Sequence, residues 1–265
     1  MIGLGLRREM ADWDLASLTA DFFEVAPENW LRRDRTPLHQ IVAAGRPVWL
    51  HGVSLNLGGH GALQPAFMQG LRELMAELGA TGLPVHYSDH LAASGDAHQL
   101  YDLFPIACTE AEAQRVAGRI AAVQDALGQR MAVENTTWYA NVGDLPEPDF
   151  IQRVLELADC DLLLDVNNAA VNFKNHGGLT AEAFTARIDA TRVRYLHVAG
   201  HEFDARFGLY IDTHSARVEP ATTALARQWQ ATHGHPILLE WDNDVPSAEV
   251  LNEELQCLRP LSLTT

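Results

Sequence analysis

The sequence predicts an α/β chain closed into a (β/α)8 TIM barrel. Three observations lead there. Eight short apolar runs alternate with amphipathic stretches along the 265 residues. Alternating βα units imply a parallel sheet, and eight of them in about 250 residues match a closed barrel. Acids and histidines gather at the C-terminal ends of the runs, the face on which such barrels carry their chemistry. An open doubly wound sheet would show the same alternation, but no dinucleotide-binding glycine fingerprint and no P-loop follows any run.

The strands are expected over residues 2–6, 21–25, 47–51, 84–88, 130–134, 161–165, 193–197 and 236–240. Most are four or five residues rich in Val, Ile, Leu or Phe, as for strands covered on both faces. Phe67, Leu71, Leu74, Met75 and Leu78 recur at helical spacing. A second helix opens at Thr109 with Glu110 and Glu112 in its first turn, runs through Val116, Ile120, Val123 and Leu127, and stops at Gly128. Further helices are expected over roughly 147–158, 180–188, 218–232 and 247–257. The glycine-rich run 58–61 reads as a flexible loop. No linker, low-complexity tract or internal repeat interrupts the chain, so residues 1–265 are expected to form a single barrel domain.

Composition excludes several classes. The chain has 35 Asp+Glu against 19 Lys+Arg, a formal charge of −16. Nucleic acid is not an expected partner, since phosphate binding needs Lys and Arg to release counterions. Anionic membrane surfaces are disfavoured likewise, and no apolar run is long enough to span a bilayer. Cys108, Cys160 and Cys257 are far apart and make neither a disulfide framework nor a thiolate metal site. The first residues lack a signal-peptide layout, so a cytoplasmic location is expected.

The polar strand ends carry the functional signal. The third strand ends at His51, and Ser88-Asp89-His90 follow the fourth. The fifth ends at Glu134-Asn135, and the sixth at Asp165 with Asn167 and Asn168 behind it. The seventh gives His197 and, four residues on, His201; Asp212 and His214 lie in the loop beyond. The eighth ends at Glu240, with Asp242 after it. Grouping so many carboxylates would cost too much without protons or cations to neutralise them, which points to a polynuclear metal site. A mixed His/carboxylate set suits iron, manganese or zinc, and spacing does not choose among them. His86 reads either as a satisfied strand histidine or as a groove residue. His39, His60, His98, His176, His233 and His235 read as surface residues, with His176 close enough to reach the barrel mouth.

Six motifs in fixed order then stand out: residues 21–30 (DFFEVAPENW), 88–91 (SDHL), 164–168 (LDVNN), 197–201 (HVAGH), 211–214 (IDTH) and 239–242 (LEWD). Together they resemble the multinuclear non-haem iron-dependent oxidases, over nearly the whole chain. The resemblance implies a xylose-isomerase-like barrel, two or three iron ions cycling between Fe(II) and Fe(III), and O₂ as co-substrate. It implies action on a cysteine of a ribosomally made precursor peptide, with methanobactin-type conversion to oxazolone and thioamide as the leading form. A small partner protein that grips the leader peptide, forming a heterodimer, is implied as well. By position, His51, His90 and Glu134 are implied as ligands of one metal. Glu134 would bridge to a second, held by Asp165, His197 and Glu240, and Asp212, His214 and Asn168 would hold a third. Catalytic roles fall to Glu134, Asp165 and Glu240. Glu24, Glu28, Asn29, Asp89, Asn135, Asn167, His201 and Asp242 are expected to orient ligands or substrate.

Two other enzyme classes fit a metal-bearing barrel. A zinc-dependent phosphodiesterase of the endonuclease IV type would want a basic face, which the charge of −16 opposes. A sugar isomerase would want a lysine among the strand-end ligands, and the only lysine, Lys174, is expected in a loop. A metal-dependent binding module is the non-enzymatic alternative.

Overall fold

The computed structural model describes residues 1–10, 12–95, 100–140 and 142–260; His98 lies outside them. Eight parallel strands close a barrel in the order β1 (Ile2–Gly5), β2 (Phe22–Val25), β3 (Val48–Gly52), β4 (Tyr87–His90), β7 (Ala132–Glu134), β8 (Asp161–Asp165), β9 (Val193–Val198) and β12 (Ile237–Leu239), which pairs back onto β1. Two antiparallel hairpins interrupt the alternation: β5 (Ala92–Gly95) with β6 (Leu100–Pro105), and β10 (Glu202–Asp204) with β11 (Leu209–Ile211). The helices are α1 (Thr36–Ala43), α2 (Pro65–Gly79), α3 (Glu110–Leu127), α4 (Glu147–Ala158), α5 (Val166–His176), α6 (Ala181–Thr185), α7 (Pro220–His233) and α8 (Ala248–Leu258).

The α/β barrel the sequence predicts is present, with every expected strand in it. β4 begins at Tyr87 rather than at 84 and runs on through Ser88, Asp89 and His90, which pair with β3 and β7. Two helices escape the periodicity, α1 and α5. The latter follows β8 without a loop: the Asp165 carboxylate accepts the Asn168 backbone N–H and caps it. Lys174 is therefore on a helix, not in a loop. The 58–61 loop is tied down, its carbonyls at Gly58, Gly59 and Gly61 accepting from Arg115 and Arg119 of α3. Elsewhere local chemistry acts as read. Thr109 accepts the Glu112 N–H at the start of α3, and Gly128 ends it at φ 72°.

The barrel interior is layered, and a two-residue step builds the layers. Phe22, Trp49, Ala132, Leu163, Tyr195 and Leu238 form one apolar cluster, separate from the larger core between strands and helices. Successive strand residues point to opposite faces, so the residue two further along returns to the interior. On these six strands that residue is Glu24, His51, Glu134, Asp165, His197 and Glu240. β1 contributes no side chain here. A Cβ on Gly3 would stand 2.3 Å from the Phe22 ring, and the next inward positions are Gly5 and Arg7. The apolar layer is thus the floor on which six ionisable groups rest.

One carboxyl outside this layer gives a testable pH effect. Glu147 opens α4 and accepts the Trp138 Nε1–H at 2.9 Å, and burial pushes its pKa up to about 7. The folded chain then keeps a proton that the unfolded chain loses above about pH 4.5, so stability falls as pH rises from there to about 7. Glu147→Gln keeps an acceptor and carries no charge. It is expected to exceed the parent in stability at pH 8 by on the order of 2 kcal/mol and to match it near pH 4.5, measured by urea denaturation.

Candidate metal centre

Six strands deliver the donors and one loop completes them. His51 Nε2 and His90 Nε2 lie 3.0 and 3.3 Å from Glu134 Oε2 and 3.3 Å from each other. The other oxygen of Glu134 lies 3.5 Å from His197 Nδ1, which is 3.1 Å from Glu240 Oε2. Asp165 joins this second group: ligand atoms of Glu134, Asp165, His197 and Glu240 all fall within 4.8 Å of one another, as do those of His51, His90 and Glu134. Glu134 belongs to both groups.

A third group forms around His214, whose φ of 47° places it in the left-handed region. Its backbone N–H donates to Gly200 O and its carbonyl accepts from Asp242 and Asn243, which holds that conformation. The ring then faces two ways, Nδ1 toward Glu240 and Asp242 at 3.5 and 3.4 Å, and Nε2 toward Asp212 at 2.8 Å. Ligand atoms of His214, Glu240 and Asp242 lie within 4.8 Å of one another. Asp242 therefore stands among the donors. Asn168 lines the same cavity: its amide oxygen accepts from Thr137 Oγ1 at 2.6 Å, a hydroxyl also 3.2 Å from Asp212, and its nitrogen donates to Asn135 O.

The surrounding groups brace these donors. Asn135 clamps Asp165 through both backbone atoms, its amide accepting from the N–H at 2.9 Å and donating to the carbonyl at 2.8 Å. Asn167 donates to Asp212 at 2.6 Å, and its amide oxygen is 2.7 Å from His201 Nδ1. His201 in turn meets Lys174, which pairs with Glu219 away from the donor groups. Glu28 accepts the N–H groups of Val53 and Ser54 after β3, and Asp89 accepts from Tyr87 Oη and the Leu55 N–H. Asn29 is exposed and meets none of the donors. Arg7, which carries no motif in the sequence, brings a cation to the floor, ion-paired with Glu240 and Asp242. A charged residue two positions beyond an inward glycine was its signal. His86 lies below, 4.7 Å edge-on from Trp49, with its pKa lowered to about 4 by burial. His176 stacks on Trp138.

Electrostatics favour cations here. Glu134 Oε2, Asp165 Oδ2 and both ring nitrogens of His197 are buried with no hydrogen-bond partner among the described residues. Burial works against the His51 imidazolium, yet the Glu134 and Glu24 carboxylates overcome it and lift its pKa to about 9. Burial, then Glu134 and Asp212, push Asp165 well above the usual carboxylate range. Protons thus stand where metal ions would, and the unpartnered nitrogen and oxygen donors fit such ions. Metal loading is expected to release protons, seen as buffer-dependent heats in calorimetry, and to raise Tm. With free metal at about 100 times Kd the gain is about 2.7 kcal/mol.

A cavity of about 590 Å³ opens above these donors, reaching His51, His90, Glu134 and Glu240 at its base. Leu103 and Tyr139 line one part of its rim, Phe207 and Ile211 another. No helix among the described residues is long and apolar enough to cross a membrane.

Known proteins resemble the chain in sequence and in fold. The chain is 42% identical to a UPF0276 protein of Acinetobacter baylyi over 97% of its own length and 90% of the relative's. It is 41% identical to one of Neisseria meningitidis serogroup B, over 96% of this chain and 92% of that one. Among solved structures it is similar to a D-tagatose 3-epimerase-like protein, with a TM-score of 0.61, 11% identity and 97% of each chain covered. SacUVDE gives a TM-score of 0.59 with 12% identity, again over 97% of each chain. These likenesses show the TIM-barrel fold. The model of the RiPP precursor modification enzymes MbnB/TglH/ChrH, where RiPP denotes a ribosomally synthesised and post-translationally modified peptide, matches residues 1–262, and the chain belongs to that family.

Proposed function

We propose that this chain is an iron- and O₂-dependent oxidase that modifies a cysteine of a ribosomally made precursor peptide, in methanobactin-type fashion to oxazolone and thioamide. The observation that carries the reading is Glu134, one carboxylate shared by two His/carboxylate groups at the base of a cavity. Membership of a precursor-modifying family supplies the substrate class.

His51, His90 and Glu134 would hold one ion, and Glu134, Asp165, His197 and Glu240 the second. His214 with Asp212 or Asp242 would hold a third. When bound, an iron pair supplies electrons for O₂ and a coordination place for a thiolate. The chain's own groups do the rest. Arg7 balances the acids at Glu240 and Asp242, and Asn135 fixes Asp165 against the strand end. The rim residues Leu103, Tyr139, Phe207 and Ile211 offer apolar contacts that hold a peptide and exclude water from the donors. The chain's buried thiols are unsuited to react: burial pushes Cys108 and Cys160 up to about 11 and about 12. The reacting thiol in this reading belongs to the substrate. A small leader-gripping partner completes the assembly.

The test is reconstitution with Fe(II), precursor peptide, partner and O₂, following peptide mass. Modification that requires iron and is lost in His51→Ala and Glu240→Ala supports the reading. Turnover without iron, or undiminished in those variants, overturns it.

A further inference from the structure

The floor of the site contains a buried chain of side chains that joins two of the donor groups from below. Ser88, Tyr195 and His197 have no exposed surface, and Glu24 and His51 are 3% and 5% exposed. The Tyr195 hydroxyl donates to Glu24 Oε2, and Ser88 Oγ lies 2.8 Å from Tyr195 Oη. His51 Nδ1 lies 2.8 Å from Ser88 Oγ. The other oxygen of Glu24 stands 2.9 Å from His197 Nε2.

The direction of every bond follows from one end. A carboxylate only accepts, so Tyr195 spends its single proton on Glu24. Tyr195 Oη can then only accept from Ser88, whose own proton is thereby used. Ser88 must accept from His51, which fixes the proton on His51 Nδ1. The second ring proton, the one a metal ion would displace, then sits on His51 Nε2, which faces the space it shares with His90 and Glu134. Glu24 acts on His197 by charge alone: its Oε1 is an ion-pair neighbour of Nε2 outside hydrogen-bond geometry, which favours the proton there and leaves Nδ1 facing Glu134 and Glu240. His90 has its own anchor, Nδ1 at 3.2 Å from Gly52 O, and lies outside this chain.

We infer that Tyr195 and Ser88 are positioning residues that fix the ligating nitrogen of His51, with Glu24, the terminus of their chain, also neighbouring His197 of a second metal group. The inference rests on the metal reading of the site. It explains why the apolar inner layer contains one tyrosine: its ring packs edge-on against Trp49 at 5.0 Å, and its hydroxyl carries the link. Outer partners of metal-bound imidazoles typically contribute 10–100-fold in affinity.

The probe is zinc(II), diamagnetic, loaded into the full chain. Ring ¹⁵N–¹H correlation spectra should show His51 protonated at Nδ1 and His197 at Nε2 in the parent. Ser88→Ala removes one small hydroxyl and leaves Tyr195 on Glu24. It should abolish the protected His51 Nδ1–H and weaken one zinc ion about 10–100-fold while leaving the His197 signal in place. Tyr195→Phe should do the same, and Glu24→Gln should weaken two ions and disturb both rings. Circular dichroism and Tm verify folding, and Ser88→Ala carries the test should Tyr195→Phe not fold. A parent that takes up no zinc overturns the metal reading. A parent that binds zinc, with Ser88→Ala keeping the His51 Nδ1–H and its affinities within twofold, overturns the relay alone.

Discussion

Glu134→Ala is expected to strip at least two metal ions from the chain and to lower peptide modification by more than about 100-fold. Loss of a bracing partner alone typically costs 10–100-fold in metal affinity or activity, and Glu134 is a donor in two groups at once. The remaining donors make the loss worse. Burial opposes ionisation of Glu134, but His90 and His51 hold it well below the usual carboxylate range. Without that charge two buried imidazoles and His197 face one another with no anion between them, and a cation there becomes less favourable still. Ions per chain by elemental analysis and product by mass spectrometry read the effect, with circular dichroism as the check on folding. A variant that keeps its ions would show that Glu134 is no bridge.

Gly200→Ala is expected to destabilise the chain by about 3 kcal/mol or more, at the upper end for overpacking. A Cβ at position 200 would stand 2.0 Å from the carbonyl oxygen of Ala216, a backbone atom that cannot turn aside. The loop would have to retreat as a body, and His214 would go with it, since its N–H donates to Gly200 O. The variant should therefore lose the third donor group as well as stability. Thermal unfolding checks the first part; metal stoichiometry in a variant still folded checks the second. Parent-like Tm would show that the 200–216 contact yields easily.

The barrel was legible because its strands are uniform: Leu162, Leu163 and Leu164, or Ile237, Leu238 and Leu239, read as covered strands in any context. The donors were legible for a related reason. Phe22 to Glu24, Trp49 to His51 and Leu238 to Glu240 are apolar-to-polar steps of two along one inner face, which a strand pattern preserves. Other features depend on contacts that no local pattern carries. α5 is built from Val166, Asn167, Asn168 and further asparagines of modest helix propensity, and it forms because Asp165 caps it and its buried asparagines bind the neighbouring loop. Asp89 and His90 of β4 find partners in Tyr87 of the same strand and, from elsewhere in the chain, in Leu55 and Gly52. Tyr195 carries no signal of its own in the sequence, and its hydroxyl finds its partners only when β2 and β4 bring Glu24 and Ser88 to it. Asp242 entered the donors through the unusual backbone of His214, a tertiary effect.

The most direct measurement is the number of metal ions that the folded chain retains after anaerobic loading with Fe(II) and removal of free metal. Two or three per chain are expected, matching the three donor groups, with at least two lost in Glu134→Ala. A correctly folded parent that retains fewer than one ion per chain would contradict the metal reading of the site.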